Sequence, residues 1–134
     1  MKLHNTFYYF GIFSLLLLCS FSHNSQQEPL DNIMGLIRTA NLKELTGYLD
    51  KEVKVILPGE EKNYKNTQAA SVLDGFFKKH PPSNLSLLHK GKSNKDAQYG
   101  IANYSSEDKN FRVYIYLKTI DASLVIQEIK IEEQ

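Results

Sequence analysis

The sequence predicts an α+β fold with the element order α-α-β-α-β-β-β-β. Three observations carry that reading. Apolar residues recur at helical spacing in two early stretches, Leu30 to Ile37 and Val72 to Phe77. From residue 84 onward, four runs rich in β-branched and aromatic residues are separated only by short polar turns. The chain has 134 residues, room for one ordinary domain and not two.

The elements follow in order. A helix starts near Pro29, which suits the first helical position because its missing N–H would go unbonded there anyway. Leu30, Ile33, Met34 and Ile37 define its apolar face. Asn41 is placed to cap a second short helix whose face is Leu42, Leu45, Tyr48 and Leu49, so 29–50 is a helical hairpin or one bent helix. Glu52 to Leu57 alternates and is β-branched, a strand stopped by Pro58-Gly59. Glu60 to Asn66 reads as a charged loop. Thr67 or Asn66 then caps a helix over 68–80, with Val72, Leu73, Phe76 and Phe77 as its buried stripe. Lys78, Lys79 and His80 complement the dipole at its last turn, and Pro81-Pro82 ends it. Strands follow at 84–92, 97–105, 111–119 and 122–132, joined by polar turns and by a tight one at Asp121-Ala122. Consecutive strands of this kind pair antiparallel as a meander. A long twisted sheet with three helices on one face makes a cone, with a cavity between helix and sheet.

Residues 1–22 read as an export signal. Lys2 is followed by an apolar run from Phe7 to Cys19, too short for a membrane-spanning helix of roughly 20 residues. Ser20 and Ser22 stand at the −3 and −1 positions of a cut after Ser22. Lipidation of Cys19 is the less favoured variant, because Leu18 is a poor residue to precede a lipid-modified cysteine. Cleavage makes the domain plan 1–22 signal peptide, 23–28 polar tether and 29–134 a single domain, with no transmembrane span left. The expected location is the periplasm or the exterior.

Charge and cysteine content exclude several classes. Removing residues 1–22 takes Lys2 and no acid, so 15 basic residues balance 15 acidic ones. Lys78, Lys79, Lys90, Lys92 and Lys95 are the only candidates for a basic stripe, and the zero net charge argues against nucleic acid as a partner. The single Cys leaves with the signal, so neither a disulfide framework nor a multi-cysteine metal site is available. No residue set implies a cofactor or a metal. Gly91-Lys92-Ser93 looks like the tail of a phosphate loop, but position 86 is Ser where that pattern needs Gly, and no helix follows.

Several stretches carry a family resemblance: Ala69 to Pro82, Leu87 to Gly91, Ala97 to Tyr99, Phe111 to Tyr114 and Leu124 to Glu132. They resemble the domain of unknown function 4783 family of small exported bacterial proteins, within the nuclear-transport-factor-two-like, or cystatin-like, superfamily. The resemblance implies the cone-shaped fold with about three N-terminal helices on a curved antiparallel sheet. It implies no activity, since that superfamily hosts isomerases, dehydratases, hydrolases and non-catalytic scaffolds. The aspartate base and oxyanion donors of the superfamily's isomerases have no matching positions here, so no catalytic residue is carried over.

The candidate binding residues are His89, Tyr99, Arg112, Tyr114 and Tyr116. Strand phase puts His89 on the face of Leu85 and Leu87, from where it could enter the cavity as an acid or base; a structural histidine is the plainer alternative. In Phe111 to Lys118, Phe111, Val113, Ile115 and Leu117 form one face, and Arg112, Tyr114, Tyr116 and Lys118 the other. An ordinary amphipathic strand is the first reading of the second face; since tyrosine and arginine anchor many interfaces, a homodimer contact comes next and a phenol-lined pocket last. The expected function is a non-catalytic exported module that binds a small molecule or a protein partner. The alternative is a small isomerase, dehydratase or hydrolase working in the cavity.

Overall fold

The computed structural model describes residues 28–134. The expected export signal, Cys19 and residues 23–27 of the tether lie outside the described residues. Helix α1 spans Pro29–Arg38 and α2 Leu42–Leu45, followed by a single 3₁₀ turn, Thr46–Tyr48. Strand β1 is Leu49–Leu57, β2 Glu60–Lys65, and helix α3 Asn66–Lys79. Four long strands complete the chain: β3 Asn84–Asn94, β4 Ala97–Ser105, β5 Asn110–Ile120 and β6 Ser123–Glu133.

The helix boundaries have local causes. Pro29 opens α1, the Glu28 carbonyl accepts from the N–H groups of Asp31 and Asn32 at 2.9 and 3.2 Å, and Asp31 and Arg38 complement the dipole. The chain reverses through Ala40 at φ 51, and Asn41 Oδ1 then accepts from the backbone N–H of Glu44 at 3.3 Å. That bond caps α2. Helix α3 starts earlier than its expected cap. Its N-cap is Lys65, and the side chain of Asn66 accepts from the N–H of Thr67 at 2.8 Å inside the first turn.

One sheet of six strands runs in the order β2-β1-β6-β5-β4-β3. β3 to β6 form the expected antiparallel meander. Three features differ from the sequence reading. Leu49, expected on the face of the second helix, opens β1, which begins three residues before the expected Glu52. Residues 60–65, read as a loop, form a sixth strand that pairs with β1 across the two-residue turn Pro58-Gly59. Only Tyr64 of Glu-Glu-Lys-Asn-Tyr-Lys is buried, so this edge strand shows no apolar alternation; charge on an edge also discourages pairing with other chains. The sheet is mixed because β1 runs parallel to β6. The connection between them contains α3 and the whole meander, long enough to permit a parallel pairing.

The core lies between the helices and one sheet face. Leu30, Ile33 and Ile37 of α1, Leu73 and Phe77 of α3, and Val113, Ile115 and Leu117 of β5 are all buried there. Val72 is half-buried against this cluster. Gly100 sets how closely α1 approaches: a Cβ at that position would lie 2.7 Å from Met34 Cε and 3.0 Å from Leu30 Cδ1. At the opposite end Asp121 and Ala122 take φ of 48 and 63. A two-residue turn of that hand matches the right-handed twist of the β5–β6 hairpin. No helix of the described residues is long and apolar enough to cross a membrane.

Candidate functional site

Two one-residue bulges decide which side chains share the outer sheet face. In β3, Leu87 pairs with Ala102 but His89 pairs with Ile101, which leaves Leu88 as the extra residue. In β6, Glu128 pairs with Tyr116 but Ile126 pairs with Leu117, which leaves Gln127 extra. The Gln127 amide donates to Asp50 Oδ2 at 3.2 Å, holding that bulge. The first bulge overturns the expected position of His89. Leu85 points into the core, but past Leu88 the phase inverts, and His89 stands on the outer face, exposed.

The candidate residues therefore meet on the sheet face away from the helices. Tyr99 is directly opposite Tyr116, Ile101 opposite Tyr114, and Asn103 opposite Arg112. His89 Nε2 lies 3.0 Å from the Tyr99 hydroxyl. The Tyr99 and Tyr114 rings stack with centroids 6.2 Å apart, and the His89 ring is 5.6 Å from that of Tyr99. Tyr99 lies over Gly91, where a Cβ would come within 2.9 Å of its hydroxyl. Glycine there gives the ring a shelf. Arg112 Nε donates to Asn103 Oδ1 at 3.1 Å, so the guanidinium is held at the edge of the aromatic group. Burial, with Glu128 next in effect, holds the Tyr114 phenol above its ordinary pKa.

The rest of that face is ionic and paired within itself. Lys54 meets Glu61 at 2.7 Å and Lys130 meets Glu132 at 2.7 Å. The hydrogen bond and charge of Glu61 raise the Lys54 pKa, and Lys54 lowers that of Glu61 in return.

Between helices and sheet, side chains fill the space. Phe76, Phe77, Tyr104 and Phe111 pack edge-on, tilted or stacked with centroids 5.1 to 6.2 Å apart. Tyr104 is fully buried and its hydroxyl donates to the His80 carbonyl. Burial pushes its pKa up to about 12. The ring of His80 sits 5.2 Å from Phe76 and 4.9 Å from Phe111, and its Nδ1 is buried with no protein partner. Leaving such a group unpaired costs about 1–3 kcal/mol. Among the described residues, no three His, Cys, Asp or Glu side chains cluster as a metal site would.

The family model for the domain of unknown function DUF4783 matches residues 30–132. The chain belongs to the DUF4783 family. Crystal structures of DUF4783 family proteins from Bacteroides uniformis and Bacteroides ovatus are similar to it with TM-scores of 0.73 and 0.72, each at 24% identity. Both alignments cover 76% of this chain, and 94% and 92% of those chains respectively. A protein named Rd1NTF2_05 with long sheet is similar at TM-score 0.53 and 16% identity, over 74% of this chain and 88% of that one. No curated protein matches. The fold is thus the cone-shaped nuclear-transport-factor-two-like one, in a family of unknown function.

In this DUF4783 chain the sequence reading missed His80 and Tyr104. Both lay in recognised elements, yet nothing in their spacing separated them from ordinary helix-end and strand residues. The one usable signal was a histidine at the end of a helix carrying Phe76 and Phe77, four and three residues earlier.

Proposed function

We propose that this protein is a non-catalytic binding module whose working surface is the aromatic half of the outer sheet face. The partner we assign is a second copy of the chain, meeting it sheet to sheet about a twofold axis. One observation carries the reading: His89, Tyr99, Ile101, Tyr114 and Tyr116 come from three adjacent strands to form one contiguous patch. Tyrosine and arginine at the centre and rim of a patch are the usual interface anchors. Cations and carboxylates alternate beside it on β6, with Arg112 and Lys118 on β5, so a twofold partner can set acid against base. What supports binding over chemistry is the aromatic packing between helices and sheet, which fills the expected deep cavity and leaves a concavity of about 270 Å³ at the end of α3. The apolar leader of residues 1–22 supports an exported location.

The test is native mass spectrometry and sedimentation of wild type and Tyr114→Lys, with the protein recovered from its own cell fraction. A dimer whose dissociation constant rises about tenfold or more on substitution, with an unchanged circular dichroism spectrum, is expected. A wild type that is monomeric throughout the micromolar range refutes the homodimer.

A further inference from the structure

A concavity of about 270 Å³ opens where the C-terminal end of α3 meets the β1–β2 and β4–β5 turns. It lies on the helix side of the sheet, away from the outer-face patch. Its floor is aromatic: Phe76, His80 and Phe111 all line it and pack on one another. His80 is nine-tenths buried, and its Nδ1 has no hydrogen-bond partner in the protein.

Four charged residues also line the concavity: Glu60, Lys79, Lys109 and Glu133. Lys109 Nζ sits 2.9 Å from both carboxylate oxygens of Glu133, so these two largely satisfy each other. Lys79 makes no ion pair among the described residues, unlike its neighbour Lys78, which meets Asp74 at 2.6 Å. Glu60 accepts a hydrogen bond from the Tyr64 hydroxyl, and that bond raises the Tyr64 pKa. One cation and one carboxylate are therefore left to face an occupant above an aromatic floor.

We propose that this concavity binds a free α-amino acid with an apolar side chain. A purely anionic ligand would meet two carboxylates there, and a purely cationic one two ammonium groups. A zwitterion sets its carboxylate toward Lys79 and its ammonium toward Glu60. Its apolar side chain lies against the edge of Phe76, which the buried Phe111 backs. The volume lies just below the usual range of about 300–1,000 Å³ for small-molecule pockets, which fits a ligand of amino-acid size. A free amino acid carries both charges on one carbon; peptide termini do not.

The experiment titrates the full chain with L-leucine, N-acetyl-L-leucine and L-leucine amide. Calorimetry gives affinity, and the NMR signals of His80 and Phe76 report location. Leucine is expected to bind and shift both signals, with each singly charged derivative weaker by about tenfold or more. Glu60→Gln and Lys79→Gln, both at exposed positions, should each weaken leucine by a similar factor with the fold intact by circular dichroism. The proposal is overturned if leucine fails to bind at millimolar concentration, if it binds without moving the His80 signals, or if either derivative binds equally well. Equal binding by both variants overturns it too. None of these outcomes bears on dimerisation.

Discussion

Tyr104→Phe separates two contributions that one buried hydroxyl makes. At neutral pH the hydroxyl donates to the His80 carbonyl, in a place where Tyr104 is fully buried. Removing it leaves that carbonyl short of a partner, which costs about 1–3 kcal/mol. At alkaline pH the same hydroxyl becomes a liability. Its pKa in the fold is about 12, against an ordinary value of 10.0, because burial opposes the phenolate. A pKa raised by folding gives stability that is complete below the unfolded value and is lost as pH rises toward the folded one. With 1.36 kcal/mol per unit, the limit is about 2.7 kcal/mol. Linkage between those two values takes away about 1.4 kcal/mol by pH 11 and about 2.3 kcal/mol by pH 12. Phenylalanine has no proton to lose. Urea unfolding of both proteins at half-unit steps from pH 8 to pH 12 reads this directly, because every other titrating group is shared. The wild type should be the more stable at pH 8, and the gap should shrink by about 1.4 kcal/mol at pH 11. Parallel stability curves would refute the reasoning, since they would mean that Tyr104 ionises as freely in the fold as out of it.

Gly100→Ala should destabilise the fold by about 1–3 kcal/mol in thermal or urea unfolding, because its Cβ would meet Met34 Cε at 2.7 Å and push α1 off the sheet. A change below half the lower figure would mean that α1 is not held against Gly100. Ala122→Gly should stabilise by about 1 kcal/mol, since Ala122 is held at φ 63, where only glycine is at ease; no gain in urea midpoint counts against the turn geometry. Glu61 should titrate below the ordinary carboxylate range by NMR, because Lys54 hydrogen-bonds and attracts its charged form. That stabilisation is present above the unfolded carboxylate pKa and lost as pH falls through the depressed one. Lys54→Met should return the Glu61 midpoint to the ordinary range.

The meander was legible because its physics is local. Alternation along Phe111 to Lys118 names the buried face without any knowledge of the neighbours, and the structure has Phe111, Val113, Ile115 and Leu117 inside. The α3 stripe was legible for the same reason. Strand β2 was not, because an edge strand with one buried residue, Tyr64, owes its existence to β1 rather than to its own pattern. The parallel β1–β6 pairing was hidden because it joins residues more than 70 apart in sequence. The filling of the cone was hidden too, for it depends on which aromatic rings of α3, β4 and β5 converge.

Of all these, the phase of β3 decides most about which side chains form the outer-face patch. Without the extra residue at Leu88, strict alternation would turn His89 inward with Leu85 and send Lys90 outward. Lys90 would then lose Glu28 and Asp31, whose carboxylates it meets at 3.1 and 3.3 Å. With the bulge, a single insertion satisfies both residues. Lys90 faces the helix side and pins the start of α1, while His89 reaches the Tyr99 hydroxyl on the outer face. The pKa of Lys90 is raised by those carboxylates, chiefly Glu28, as expected for an ammonium that has gained acceptors. Bulges of this kind re-aim side chains and also twist an edge strand away from unwanted partners. Here β3 is one free edge of the sheet, with β2 the other, and Leu88 is half exposed at the bulge itself. The same residue that turns His89 into the aromatic patch thus breaks the regular β3 edge along which another strand would add.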